Sequence, residues 1–314
     1  MSSNYPNGFM SGVTIRGIPL QQAHPGEVFW VNSSSVLAKG GISGSDGNDG
    51  TYRRPFASIT GALTKCIASR GDIIMVMPGY TETIATAGGE VWNVAGVAII
   101  GLGAGSLAPT FTFSATGSTL TVTAGNMSTS NIRLVSSIAN VVDGVIVSGA
   151  NYTVENCYFG STVAAASLLT SIVTTTAATG FYFNNNTVNQ EVSLAGTAVT
   201  DVAAAGVETL ADNSVITNNT IMGEFSTAAI YNVTTAALGI QINDNNIYNS
   251  STAAAAGAVS LAAGCSGTCY RNHATVLETS AITGLFINAN LGMSENYAVN
   301  VVTETAGLVH AAST

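Results

Sequence analysis

The sequence predicts an all-β chain: a right-handed single-stranded parallel β-helix with an N-terminal capping helix and an extended N-terminal arm. Three observations predict it. A six-residue signature returns at a near-regular interval, strand and turn formers fill the spaces between copies, and one amphipathic helical segment precedes them. The signature runs apolar–polar–polar–Asn–polar–apolar, as in Ile216-Thr217-Asn218-Asn219-Thr220-Ile221. Its fourth position falls at Cys157, Asn186, Asn219, Asn245, Asn272 and Asn296, in steps of 29, 33, 26, 27 and 24 residues. A weaker copy spans Met127 to Ile132, with Ser130 in the fourth position. Repetition at this period marks a solenoid. Three short strands plus turns use roughly 20 to 30 residues per coil, at about 3.3 Å per strand residue.

Each element has its own signal. Residues 1–50 read as an arm followed by a Gly-rich turn, because Pro6, Pro19 and Pro25 punctuate the first part and glycines crowd residues 40–50. Asp46 and Asp49 lie in that turn, at a spacing that fits turn chemistry and no calcium loop. Residues 51–314 form the capped β-helix. In residues 55–67 the apolar positions 56, 59, 62, 63, 66 and 67 share one helical face. A helix there covers the open end of the first coil, which would otherwise invite stacking. Residues 71–80 supply the first buried strand. Segments such as 119–123, 145–147 and 238–242 alternate as strands do. Leucine-rich repeats are excluded by the missing leucine frame, and helical repeats by the scarcity of helix formers. Small-residue stretches at 174–178, 203–205 and 253–256 allow close backbone approach between protomers. Residues 299–314 give a last strand and a short tail.

The recurring Asn has a physical role. Amides stacked about 4.8 Å apart let each side chain donate to one neighbouring coil and accept from the other. The expected ladder is Asn186, Asn219, Asn245, Asn272 and Asn296. The position before it reads Glu155, Asn185, Asn218, Asp244, Arg271 and Glu295, so in-register coils stack Arg271 between Asp244 and Glu295.

Composition removes several functions. Net charge is −9 with eight basic residues, six of them before residue 71, so no basic stripe exists for nucleic acid. Mean hydropathy is +0.38, yet no uninterrupted apolar span of about 18 residues is present to cross a membrane as a helix. The first residues lack the basic and apolar pattern of a signal peptide. So apolar and charge-poor an exterior predicts self-association. Cys66 and Cys157 read as core thiols. Cys265 and Cys269 are spaced four apart, with His273 near, but a zinc site needs further ligands. No cofactor or metal is expected.

The opening segments carry a resemblance. Val28-Phe29-Trp30-Val31, Gly44-Ser45-Asp46-Gly47-Asn48-Asp49-Gly50-Thr51, Pro55-Phe56-Ala57-Ser58-Ile59 and Gly71-Asp72-Ile73-Ile74, with the arm Gly12 to Pro19 and His24-Pro25-Gly26, resemble the start of pectin-lyase-like β-helix proteins of tailed bacteriophages. Some of these are tailspikes; others are trimeric, tailspike-like proteins that decorate the capsid. The resemblance implies a non-enzymatic virion protein, a homotrimer cementing the capsid exterior after assembly in the host cytoplasm. Its partners would be itself and the major capsid protein. Arg16, Lys39, Arg53 and Arg54 concentrate positive charge at the end that would meet an acidic shell.

The alternative is a tailspike that binds or cleaves host surface polysaccharide. A lyase of this kind uses Arg or Lys as base, and after Arg133 only Arg271 exists. Hydrolysis would need two carboxyls about 5 to 9.5 Å apart, for which Asp201, Glu208, Asp212, Glu224 and Asp244 compete without one being selected. Both tryptophans, Trp30 and Trp92, precede the ladder, which leaves no long aromatic groove for sugars. A secreted adhesin is disfavoured by the N-terminal pattern.

Overall fold

Alternation fixes each coil. In one of them, Ile216 of the strand Val215–Thr217 and Ile221 of the strand Thr220–Gly223 are buried, while Val215, Thr217, Thr220 and Met222 face outward. Only Asn218 and Asn219 separate the two strands. Asn218 takes the left-handed conformation (φ 56°), which swings the chain through the corner and leaves Asn219 pointing inward. A third, longer strand, Phe225–Asn232, completes the coil.

In this computed structural model the described residues are 14–15, 18–19, 26–33, 41–163, 166–190, 203–232, 235–251, 257–277, 286–287 and 291–309. Their strands form three long sheets of ten, ten and eight strands, built from every third strand of the chain except for the first pair of the first sheet and the last pair of the second. Neighbours within them pair in parallel, except at the C-terminal end of the second sheet. The chain is a parallel β-solenoid.

Register is continuous enough that core residues stack in columns. In the first sheet the inward column runs Ile99, Thr129, Val154, Phe183, Ile216, Ile242 and Cys269. In the second it runs Phe111, Leu134, Phe159, Val188, Ile221, Ile247 and Ala274. Phe159 and Phe183 meet across the core at 5.7 Å between ring centroids, and Phe181 stacks on Phe183 at 6.0 Å. Each large apolar side chain buried this way contributes roughly 1.5 to 3 kcal/mol.

Two corners repeat left-handed residues. Between the first and second sheets the column is Asn131, Asn156, Asn185, Asn218, Asp244, Arg271 and Glu295, with φ from 52° to 57°. Between the third and first sheets it is Ser69, Gly96, Asn126, Asn151, Gly180, Asn213 and Gly239, with φ from 55° to 75°. Gly180 and Gly239 also have no room for a side chain. A Cβ at these positions would lie 2.4 Å from Asn151 Oδ1 and 2.5 Å from Asn213 Oδ1, respectively.

Four expectations need correction. Val28–Val31 already pairs in parallel with Ile73–Val76, so the first sheet begins inside the segment assigned to the arm of residues 1–50. Its inward Phe29 and Val31 are buried and its outward Trp30 is not, a strand alternation the glycines nearby obscured. Within the described part of the arm, Thr14–Ile15 and Ile18–Pro19 pair as a small antiparallel ladder. The capping helix, α1, covers only Ile59–Leu63. Asp72, fully buried, accepts from the Ile67 and Glu27 backbone N–H groups at 2.7 and 2.8 Å and from Arg70 at 2.7 Å; it turns the chain before the apolar face reaches Ile67, which stays exposed.

The other two concern register. Cys157 occupies the amide column with Asn156, not Glu155, before it. Because Arg133 pairs with Tyr158, the weaker copy is offset by two residues and puts Ile132, not Ser130, in that column. Hydrophobic periodicity alone does not fix a slip of this size.

Each end carries a covering element. Ser58 caps α1 by accepting from the Gly61 N–H at 2.9 Å, and Asp46 holds Ser58 in turn through its Oγ (2.9 Å) and N–H (3.0 Å). At the other end Thr305–Val309 folds back antiparallel on Asn296–Asn300, covering the free edge of the second sheet.

The ladder supplies a direct test. Asn272→Ala leaves the Asn245 N–H and Nδ2 without their shared acceptor and the Ile242 carbonyl without its donor. At about 1 to 3 kcal/mol per orphaned buried group, the expected loss is roughly 3 kcal/mol or more in guanidinium unfolding. The neighbouring Arg271→Asn, on an exposed corner, is expected to change stability by less than about 1 kcal/mol. Similar losses for the two would rule out the ladder as a principal stabilising element.

Candidate functional site

The side chains singled out from sequence fall into separate places. Asn186, Asn219, Asn245, Asn272 and Asn296 form one buried stack. Each Oδ1 accepts from the backbone N–H of the preceding column residue, at 2.8 to 3.1 Å from Cys157 to Asn272. From Asn186 to Asn272 each Nδ2 also donates to the next Oδ1, at 2.9 to 3.3 Å. The same Nδ2 groups reach back to backbone carbonyls of the previous coil, such as Phe183 and Ile216, at 2.9 Å. Every amide is satisfied by protein, and none reaches solvent.

Outside this stack, Arg271 forms a two-point bond to Asp244, Nε to Oδ1 at 2.7 Å and Nη2 to Oδ2 at 2.8 Å, and lies over the Tyr270 ring at 4.5 Å. The guanidinium holds the Asp244 carboxyl below the usual range. Glu295, on the next coil, acts on Arg271 through space, without an ion pair among the described residues.

Of the basic residues at the N-terminal end, Arg16 and Lys39 lie outside the described residues. Arg53 and Arg54 sit in a tight turn closed by the Arg54 N–H on the Thr51 carbonyl at 3.0 Å. Arg54 pairs with Asp49 at 3.4 Å, both exposed. Tyr52, in the same turn, meets Trp30 edge to face at 5.0 Å. Aromatic and basic side chains thus share one exposed tip on the outer face of the first strand.

A site that sequence reading missed lies beneath α1. Glu82 pairs with Phe111, and Glu90 with Leu120, so both glutamates stand at the head of inward columns that are otherwise apolar. Glu90 is buried, and accepts from Thr60 Oγ1 of α1 at 3.0 Å and from Trp92 Nε1 at 3.0 Å. Glu82 accepts from the Tyr80 hydroxyl, which also reaches the Ala57 carbonyl at 3.3 Å. The two carboxyls are close enough to shift each other's protonation. Desolvation, and then the charge of Glu82, push Glu90 up to about 7; desolvation also raises Glu82. Glu90 therefore keeps its proton to a higher pH than a free glutamate does. The signal was available: Glu82 is in phase with Ile84, and Glu90 with Trp92, so alternation places both inside.

The acids weighed for hydrolysis do not converge. Asp201 is outside the described residues, Asp212 accepts from the Leu238 N–H at 2.7 Å, and Asp244 is taken by Arg271. Glu208 lies on the third sheet, where its carboxyl is raised by desolvation and by the charge of Asp143. Desolvation raises Asp143 as well, and raises the neighbouring Tyr231, to which Glu208 adds. The four cysteines are free thiols; Cys157, Cys265 and Cys269 are buried and Cys66 half-buried. Burial pushes the Cys66, Cys157 and Cys269 thiols up to about 12.

No protein-family model matches the sequence, and no curated protein matches it. A solved structure of a rhamnogalacturonan lyase is similar at a TM-score of 0.43 and 12% identity, over 88% of this chain and 74% of the lyase. A likeness at that level carries no conclusion about activity.

The carboxyl pair makes stability depend on pH in a defined direction. Between the free value of 4.5 and about 7, the folded chain binds more protons at Glu90 than the unfolded chain does. Stability from this group is therefore complete at low pH and declines as pH rises through that window. Melting temperature is expected to fall from pH 5 to pH 8, and Glu90→Gln to flatten the decline. An unchanged slope in the variant would show that the proton is not held there.

Proposed function

We propose that this chain is a non-enzymatic structural protein of a phage virion, a homotrimeric β-helix that decorates the capsid and is anchored through its N-terminal region. The observation that carries this reading is the division of charge. Up to residue 71 the sequence has six basic and three acidic residues; after it, two basic and fourteen acidic. The end with the exposed Tyr52, Arg53 and Arg54 tip is suited to an acidic shell, and the acidic coils would be repelled outward from it. The buried amides of the coils are spent on their own stack, which suits a load-carrying rod.

Self-association has its own support. On the terminal hairpin Tyr297 faces Leu308 across the ladder, and both are exposed together with Val301 and Val302. An apolar group at the tip of an acidic rod is suited to burial between copies.

The second reading, a polysaccharide-cleaving tailspike, draws on the mutual proximity of Asp143 and Glu208 on one face. Three measurements test these readings. Native mass spectrometry is expected to give a trimer that Leu308→Asp dissociates. Cosedimentation with phage shells lacking the protein is expected to show saturable binding, at least tenfold weaker in the double variant Arg53→Glu, Arg54→Glu. Shortening of host surface polysaccharide by the purified chain would overturn the structural reading.

A further inference from the structure

One corner departs furthest from the two-residue rule. Between the strands Ala98–Gly101 and Thr110–Phe113 the chain makes a longer loop, residues 102–109, that includes the 3₁₀ turn Gly105–Leu107. The next coil, by contrast, turns through Asn131 and Ile132 alone. The loop overhangs that tight corner and leaves a cleft of about 470 Å³, within the usual range of small-molecule sites. Asn131 fixes the overhang by donating its Nδ2 to the Gly101 and Gly103 carbonyls, both at 2.8 Å.

Arg133 lines this cleft, with its guanidinium over the Tyr158 ring at 5.2 Å. Tyr158 is the register partner of Arg133 on the next coil. Its ring lies flat along the strand because Gly160 follows two residues later; a Cβ there would fall 2.6 Å from the Tyr158 hydroxyl. Among the described residues Arg133 makes no ion pair. It shares the coils beyond residue 71 with one other cation, Arg271, which Asp244 occupies.

The neighbouring amides leave complementary groups open. Asn131 commits its Nδ2 to the loop, and its Oδ1 accepts no described bond. Asn156 accepts at Oδ1 from Asn185 at 2.6 Å, and its Nδ2 donates to no described partner. Ser106 adds a hydroxyl at the rim. A planar guanidinium held on a ring presents a fork that matches a carboxylate. One amide oxygen, one amide N–H₂ and a hydroxyl beside it suit the hydroxyl groups of the same ligand.

We propose that this cleft binds a small hydroxycarboxylate, its carboxylate on Arg133 and its hydroxyls on Asn131, Asn156 and Ser106. The assignment is independent of the virion reading, because it needs neither a shell nor a second copy.

Saturation-transfer NMR on the intact chain tests it with D-gluconate, an open-chain acid, and D-glucuronate, a ring. Transfer to either acid is expected, with affinity at least tenfold weaker in Arg133→Gln and unchanged in Arg271→Gln. Transfer to both would define the class as hydroxy acids in general, and transfer to glucuronate alone would narrow it to sugar acids. D-glucose and sulfate are expected to compete poorly. The proposal is overturned by no transfer to either acid, by equal transfer to Arg133→Gln with an unchanged melting temperature, or by displacement as efficient with sulfate.

Discussion

The two-residue corner between the first and second sheets governs the rest of this structure. One residue must take a left-handed backbone, and the next must turn its side chain into the core. A left-handed residue costs an ordinary side chain about 1 to 2 kcal/mol, which explains why Asn fills the position at Asn131, Asn156, Asn185 and Asn218. The inward residue meets its counterparts one coil away, at the spacing a hydrogen bond spans. An amide there satisfies its own oxygen, its own N–H₂ group and a backbone N–H of the previous coil. A single residue type thereby locks the register of coils whose loops differ in length by several residues.

The same constraint explains where charge is tolerated. Asp244, Arg271 and Glu295 hold left-handed positions that Asn fills elsewhere. Two of them form a bidentate pair across coils, replacing the amide-to-amide contact seen between Asn185 and Asn156. The corner accepts any pair of polar side chains that complement each other vertically. The inward position accepts less variety: Ile132 and Cys157 begin the column, and five amides follow.

Much of this was legible in the sequence because the repeat encodes both residues of the corner. Asn218-Asn219 and Asn185-Asn186 carry the left-handed and inward positions together, so the spacing reveals coil, corner and ladder at once. Where the signature lacks its inward Asn, spacing no longer marks the register, and Ser130 and Glu155 fall off the columns it assigns them. The start of the first sheet was hidden for another reason. Val28–Val31 is a short strand flanked by glycines and prolines that also mark loops, and its partner lies more than forty residues away. The carboxyl pair escaped because charged residues are expected outside. Alternation had nonetheless put Glu82 and Glu90 in phase with Ile84 and Trp92, and only the position of α1 over them makes their burial tolerable.

These features share a logic that follows from stacking. A coil inside the solenoid buries its columns against a coil on either side, so its inward side chains answer to two neighbours. The first coil has one neighbour and a cap, which frees Glu82 and Glu90 to replace apolar side chains provided that α1, Tyr80 and Trp92 supply hydrogen bonds. The last coil has one neighbour and a reversed strand, where Tyr297, Val301, Val302 and Leu308 remain exposed. Corner loops are similarly released, and residues 102–109 open the cleft around Arg133 without disturbing a column. The buried carboxyls, the exposed apolar group and the Arg133 cleft thus lie at the two ends and at the overhanging corner, and the coils between them hold these sites apart at fixed spacing.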